Sequence, residues 1–371
     1  MHEDNSYASF GRTARKASKR ALRLLGTASI VGAKTLMDAV LNSGRASISF
    51  EHLNVPDVRS DWDYGRHYVY LLFALTRIGA IGCSVRDARR AWEWLPLRDF
   101  IKSVRINWRS PQYGILLSES KRGKRIFHIN QNYYSSPPAD HRLFAPYFAF
   151  PEFYRAGLYN EVRGMRRQAR NVKIFFAGKI SRVQCTASSS SFYSDHFRFP
   201  ILSRDKILGH VAAKFEWAVT SELSRSDSRS ILIVSNDWPN NATNGRTLSL
   251  REYLDVTSRS DFFICPPGYL MPHSHNLIEA MSVGTIPITN YHLYMRPPLT
   301  PDGNCLAFST VEELERVINR ALCMPEAEIQ RLREGAVSYY EEYMEPESFG
   351  KKLMECSLLI SEVVVNDESG R

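Results

Sequence analysis

Residues 261–289 constrain the fold more than any other stretch of the chain. Asp261, Phe262, Phe263, Ile264 and Cys265 read as a strand that is apolar on both faces, the pattern of a sheet covered on both sides. Pro266, Pro267 and Gly268 turn the chain. Helical spacing then runs from His275 to Val283, with Ser274 as the expected N-cap. Gly284 stands where a helix end favours a left-handed backbone. Thr285 to Thr289 read as the next strand. This is a β-α-β unit. Its right-handed crossover joins two parallel strands and puts the start of the helix at the carboxyl edge of the sheet.

The same punctuation recurs on either side, so the expected class is α/β. Val172–Ala177 is a strand followed by Gly178 and Lys179, residues 205–223 carry a helical pattern, and Ile231–Val234 is a wholly apolar strand. Ser249 opens a helix through Leu254. Thr310 and Glu313 form a capping box, and residues 326–365 read as largely helical. Upstream, Ser47–Phe50, Ile115–Leu117 and Arg125–Ile129 read as strands and Tyr68–Ile78 as a helix. Pro137, Pro138, Pro146 and Pro151 break regular structure between the two halves. A length of 371 residues accommodates about two domains. The expected division is a segment 1–45, a Rossmann-like unit 46–160, a second Rossmann-like unit 161–345 and a C-terminal helix 346–371.

Charge is unevenly placed. The formal net charge is +9, yet residues 12–34 hold seven of the 48 cations and none of the 39 acids. The rest of the chain is close to neutral, which argues against a nucleic-acid-binding surface. Arg12, Lys16, Lys19 and Arg23 share one helical face, and Ala17, Ala21, Leu24, Ala28 and Val31 share another. Such a basic amphipathic helix fits an anionic membrane surface, and a solvated tail is the alternative. No run is long and apolar enough to span a bilayer. The six cysteines form no C-x-x-C and no zinc-like spacing, so they are expected to be reduced thiols in a cytoplasmic protein.

Three strand tips in the second half carry polar residues suited to a ligand. The helix opening at His275 presents free N–H groups and the positive end of a dipole to a phosphate. Glu279 lies one turn on, on the same face as His275. Gly178, Lys179 and Arg182 bring cations to the tip of another strand. Ser235, Asn236 and Asp237 end a third. Each motif alone also fits an ordinary surface loop, but three tips in one sheet converge on one cleft.

The string Asp261-Phe-Phe-Ile-Cys-Pro-Pro-Gly268, followed by His275-Asn-Leu-Ile-Glu-Ala-Met-Ser-Val-Gly-Thr-Ile-Pro-Ile288, resembles the donor-site signature of two-domain GT-B glycosyltransferases. It is most similar to the exostosin-like group, and the likeness spans roughly residues 140–345. It implies two Rossmann-like domains facing a cleft, with C-terminal helices crossing back. It also implies transfer of a sugar from a nucleotide-activated donor to a glycan or lipid-linked acceptor in surface-polysaccharide or lipopolysaccharide assembly. The unit 46–160 would face the acceptor and the unit 161–345 the donor. Glu279 would hold the ribose, and Lys179 and Arg182 would neutralise the diphosphate. Gly178, Gly268, His273, Ser274 and Asn276 would complete the donor site, with no divalent metal and no cofactor.

The chain departs from the E-x7-E pattern of many retaining relatives, because Met271 occupies the earlier position. His273 or His275 could replace that chemistry. An inverting enzyme needs a base from the first domain, where Asp63, Asp61, His67 and Glu51 are candidates. A retaining alternative uses Asp237 as nucleophile on a CMP-linked keto-sugar such as Kdo, with His275 and Asn276 on the leaving phosphate. A non-catalytic binding module of the same fold is the remaining alternative.

Overall fold

A computed structural model describes residues 48–49, 70, 73–74, 83–84, 128–130, 133–180, 201–222, 230–235, 247–268, 271–355 and 361–364. In the first half, β1 (Ile48–Ser49) pairs in parallel with β2 (Cys83–Ser84). Strands β3 (His128–Asn130) and β4 (Arg142–Phe144) belong to a separate three-stranded sheet.

The second half holds the large sheet. Its strands are β5 (Val172–Ala177), β6 (Val219–Thr220), β7 (Ile231–Val234), β8 (Ser260–Cys265), β9 (Ile286–Thr289) and β10 (Leu306–Ala307). They lie in the order β10-β9-β8-β5-β7-β6, and every pairing is parallel. The four central strands are buried at every residue, which explains their unbroken apolar sequences. From β5 the chain goes out to β6 and β7 on one side, then returns past β5 to β8 on the other. The order therefore reverses between β5 and β8, the place where an open parallel sheet leaves a crevice beyond its carboxyl ends.

The helices are α1 (Pro151–Arg155), α2 (Val162–Met165), α3 (Arg204–Lys214), α4 (Leu250–Ser258), α5 (His275–Ser282), α6 (Val311–Cys323), α7 (Glu326–Tyr339) and α8 (Pro346–Glu355). At α4 the capping box is complete: the Glu252 N–H donates to Ser249 Oγ, and the Ser249 N–H donates to Glu252 Oε2 at 2.8 Å. At α6 half of the expected box forms. Thr310 caps the Glu313 N–H at 3.2 Å, while the Glu313 carboxylate takes the Ser309 N–H. Gly284 adopts φ +75°, as its place after α5 requires.

Three expectations are corrected. The helical pattern over 205–223 stops at Lys214, because Phe215 leaves helical geometry to enter the core and Val219–Thr220 joins the sheet. Trp217, which kept the apolar periodicity going, is 73% exposed. Ser274 occupies the N-cap of α5 but caps no backbone N–H, and its hydroxyl points to the Asn276 side chain. The region 326–365 is not helical to its end, since β11 (Glu362–Val364) inserts in parallel between β3 and β4.

The C-terminal return fits the expected topology. After α7, a π-helical turn (Tyr340–Met344) leads into α8, and Tyr70 donates to Met344 O at 2.9 Å. The Tyr70 ring packs on Phe349. Arg163 and Arg166, in and just after α2, pair with Glu345 and Glu341 at 2.9 and 2.6 Å, and Tyr159 bonds Glu347. The described residues are thus α/β, with parallel sheets in both halves and a C-terminal segment that crosses back from one to the other.

Candidate functional site

The site is built at the reversal point between β5 and β8. Gly178 follows β5 with φ +150°, which an L side chain rarely adopts. Lys179 comes next and is exposed. On the other side of the crevice, Pro266, Pro267 and Gly268 follow β8. A Cβ on Gly268 would lie 2.6 Å from His273 O and 2.8 Å from Met271 O, so only glycine lets the loop fold this tightly.

One residue joins the two tips. Arg204 is the first residue of α3 and is buried. Its guanidinium donates to Lys179 O at 2.9 Å and to Pro267 O at 3.2 and 3.3 Å. The crevice floor is therefore pinned by an internal cation on carbonyls from both strands. Two amides tighten the same edge. Asn276 Nδ2 donates to Ala177 O at 3.2 Å, and Asn290 Nδ2, just past β9, donates to Leu202 O at 3.0 Å.

Helix α5 starts over this crevice. His275 is its first residue and keeps 38% of its side chain exposed. Its Nδ1 lies 3.1 Å from both oxygens of Glu279, whose side chain has no exposed surface. The same carboxylate accepts the Phe150 N–H at 2.8 Å. Phe150 lies in the proline-bounded segment between the halves, is 40% exposed, and sets its ring 5.5 Å from the His275 ring. Nearby, burial pushes the Tyr253 hydroxyl well above its usual pKa, and the Glu279 charge pushes the same way.

The expected donor residues thus divide by position. Gly178, Lys179, Gly268 and His275 border the crevice. Asn276 and Ser274 are buried at its edge, the former tied to β5. His273 is only 2% exposed, and its contacts are aromatic: Tyr133 edge-on, Tyr134 hydrogen-bonded to Nδ1, Tyr147 stacked and Tyr291 beyond. These contacts tie residues 133–147 to the loop that precedes α5. Arg182, Asn236 and Asp237 lie outside the described residues, as do Glu51, Asp61, Asp63 and His67, so the candidate base and the candidate nucleophile are not placed. Among the described residues, no group of three or more His, Cys, Asp or Glu could hold a metal ion, and no helix is long and apolar enough to cross a membrane.

Sequence reasoning missed Arg204 and Phe150. The first carried a signal. A cation at the first turn of a helix opposes the helix dipole, so Arg204 after Ser203 calls for another partner. Phe150 carried none, because its partner lies 129 residues away. A separate surface cleft of about 630 Å³ lies between α2 and α4. Its Arg251 is already paired bidentately with Glu161 at 2.6 and 2.7 Å, and no residue of the carboxyl edge lines it.

No protein-family profile matches the chain, and no curated protein matches it. Solved structures similar to it include AviGT4, a glycosyltransferase involved in avilamycin A biosynthesis, at 13% identity and TM-score 0.38, over 85% of this chain and 98% of that one. The wall teichoic acid polymerase TagF matches at 10% identity and TM-score 0.30, over 96% and 98%. An alpha-glucosyltransferase in complex with UDP and DNA matches at 13% identity and TM-score 0.29, over 53% and 56%. The chain spans about half the length of that last enzyme.

Proposed function

We propose that this chain is a glycosyltransferase that binds a nucleotide-activated sugar at the carboxyl edge of its six-stranded sheet. The observation that carries the reading is the convergence of Gly178–Lys179, Pro266–Gly268 and the start of α5 on the β5/β8 reversal point, with Arg204 fixing both strand tips. Tight glycine turns let backbone approach a ligand closely, and an exposed lysine beside a helix start suits a diphosphate.

In this reading the sugar C1–O bond to the phosphate breaks while a bond from an acceptor hydroxyl forms. Lys179 and the α5 N-terminus take up the charge that grows on the leaving diphosphate. A base on the acceptor side accepts the hydroxyl proton. The crossing segment at Phe150 reaches the donor site from the other half, so the acceptor is proposed to enter between the halves. Surface-polysaccharide or lipopolysaccharide assembly is the proposed setting. Its support is the basic segment 12–34, which would hold the enzyme at an anionic membrane beside a lipid-linked glycan.

Calorimetric titration with UDP, GDP and CMP tests the reading. One nucleoside diphosphate is expected to bind, and Lys179→Ala to weaken it at least tenfold. Binding of none of the three would overturn it. Preferential binding of CMP would favour the keto-sugar alternative with Asp237.

A further inference from the structure

Glu279 is a carboxylate with no exposed surface, on a helix whose neighbouring residues are all buried. A buried acid is costly unless its oxygens are occupied, and here both are. The Phe150 N–H bonds Oε1 at 2.8 Å, and His275 Nδ1 lies equidistant from Oε1 and Oε2 at 3.1 Å. With no exposed surface on the Glu279 side chain, a ribose hydroxyl does not meet the carboxylate in this arrangement. The polar side chain that does reach solvent from this cluster is His275. With Nδ1 committed to Glu279, Nε2 is its one remaining polar atom, and among the described residues Nε2 has no partner. The Phe150 ring, whose backbone N–H bonds Glu279, lies against the imidazole at a tilt of 53°. Glu279 and Phe150 therefore hold the His275 ring from two sides.

We propose that Glu279 is a positioning residue that acts through His275. Its carboxylate fixes Nδ1–H and turns Nε2 toward the phosphate oxygens of the donor. This inference rests on the nucleotide-sugar reading of the carboxyl edge and gives Glu279 a role other than direct contact with the ribose. The physical basis is general: the partner of one imidazole nitrogen decides what the other presents. As an imidazolium, His275 donates one N–H to Glu279 and one to the oxyanion, and charge-assisted bonds of that kind are about twice as strong as neutral ones. No proton transfer is required of it. It stabilises the charge released when the glycosidic bond to the phosphate breaks.

Pyrophosphate separates the two roles of Glu279, because it carries the phosphates without a ribose. Binding of pyrophosphate and of UDP to the full chain is measured by calorimetry for wild type, Glu279→Gln, His275→Ala and the double variant. Glutamine keeps the size and still accepts the Phe150 N–H, but it lacks the charge. Glu279→Gln is expected to weaken both ligands by the same factor, about tenfold, and to add nothing once His275 is alanine. The nitrogen-15 signals of the His275 ring are expected to change in Glu279→Gln before any ligand is added. Glu279→Asp, which keeps the carboxylate, is expected to recover part of the loss, and it stands in should the glutamine variant fail to fold.

Loss of UDP binding with pyrophosphate unchanged would assign Glu279 to the ribose and overturn the inference. Unchanged binding of both ligands with unchanged ring signals would reduce the Glu279 contacts to a structural tie and overturn it as well. Failure of the wild type to bind UDP, GDP, CMP and pyrophosphate would overturn the functional reading itself. Intact wild-type binding with an indifferent glutamine variant overturns only this inference.

Discussion

The two ends of strands β5 and β8 both bury charge, and they use it in opposite ways. At the amino end, Lys173 and Arg333 share Asp261, at 3.3 Å to Oδ2 and 2.7 Å to Oδ1. Arg170 beside them donates to Ser260 O, to Thr285 Oγ1 at 3.0 Å and to Val283 O at 2.9 Å. Burial and the neighbouring Arg333 push the Arg170 guanidinium down from its usual pKa, and Asp261 opposes them. Every charge there answers to another group of the chain. At the carboxyl end, Arg204 is likewise consumed by carbonyls, but His275 keeps its ring Nε2 without a partner among the described residues. A closed network stabilises the fold, and an open one has capacity left for a ligand. In the proposed reading, the ligand goes to the end that keeps a polar atom uncommitted.

The largest expected effect lies at the closed end. Asp261→Ala leaves Lys173 and Arg333 buried without their shared counter-charge, and breaking such a pair costs about 3–5 kcal/mol. Chemical denaturation reads the loss, while the fraction still folded is expected to bind nucleotide as before. Weakened nucleotide binding in that fraction would break the division between the two ends. Lys179→Ala at the open end is expected to do the reverse. Transfer falls about a hundredfold, the scale of one preorganised charge contact, and the unfolding midpoint stays put, as for other surface substitutions. Turnover assays beside thermal melts check both halves of that statement.

Gly268→Ala sits between these cases. Its Cβ would press on His273 O and Met271 O, and overpacking of this kind costs about 1–3 kcal/mol. Nucleotide affinity is expected to suffer along with stability, because the same loop borders the proposed donor site. The smallest effect is expected from Ser249→Ala, which removes one cap of α4 at about 1 kcal/mol and leaves binding untouched. It calibrates how far a purely structural loss travels.

What the sequence made legible follows from the range of the interactions involved. The unit 261–289 was readable because its signals are local: apolar runs, a prolyl turn and Gly284 after a helix. The short strand Glu362–Val364 was not, because its pairing partners, His128–Asn130 and Arg142–Phe144, lie more than 200 residues away. A three-residue apolar run has no period of its own. Trp217 misled in the opposite sense, extending a helical rhythm into a residue that packs against little.

The site shows the same division. The positions of Lys179 just past a strand and of His275 at a helix start were readable. The burial of Glu279 was not, since a glutamate one turn into a helix ordinarily faces water. His273 entered the expected donor site through the resemblance, and the surroundings of its ring were not legible in the sequence. Tyr133, Tyr134 and Tyr147, which enclose it, come from a distant part of the chain.

The placement of β11 has a consequence for the order in which the molecule is assembled. Residues 362–364 form the middle strand of the three-stranded sheet, not an edge. During synthesis β3 and β4 leave the ribosome with no strand between them, and they stay unjoined until the chain has grown by more than two hundred residues. The Ala145 N–H then donates to Val364 O at 2.8 Å, and Arg142 closes on Glu362. Five residues past Ala145 stands Phe150, which meets Glu279. The large sheet has all its strands in hand once residue 307 is made. The segment that delivers Phe150 to it is anchored last, so the large sheet is complete in sequence well before the strand that fastens its neighbour.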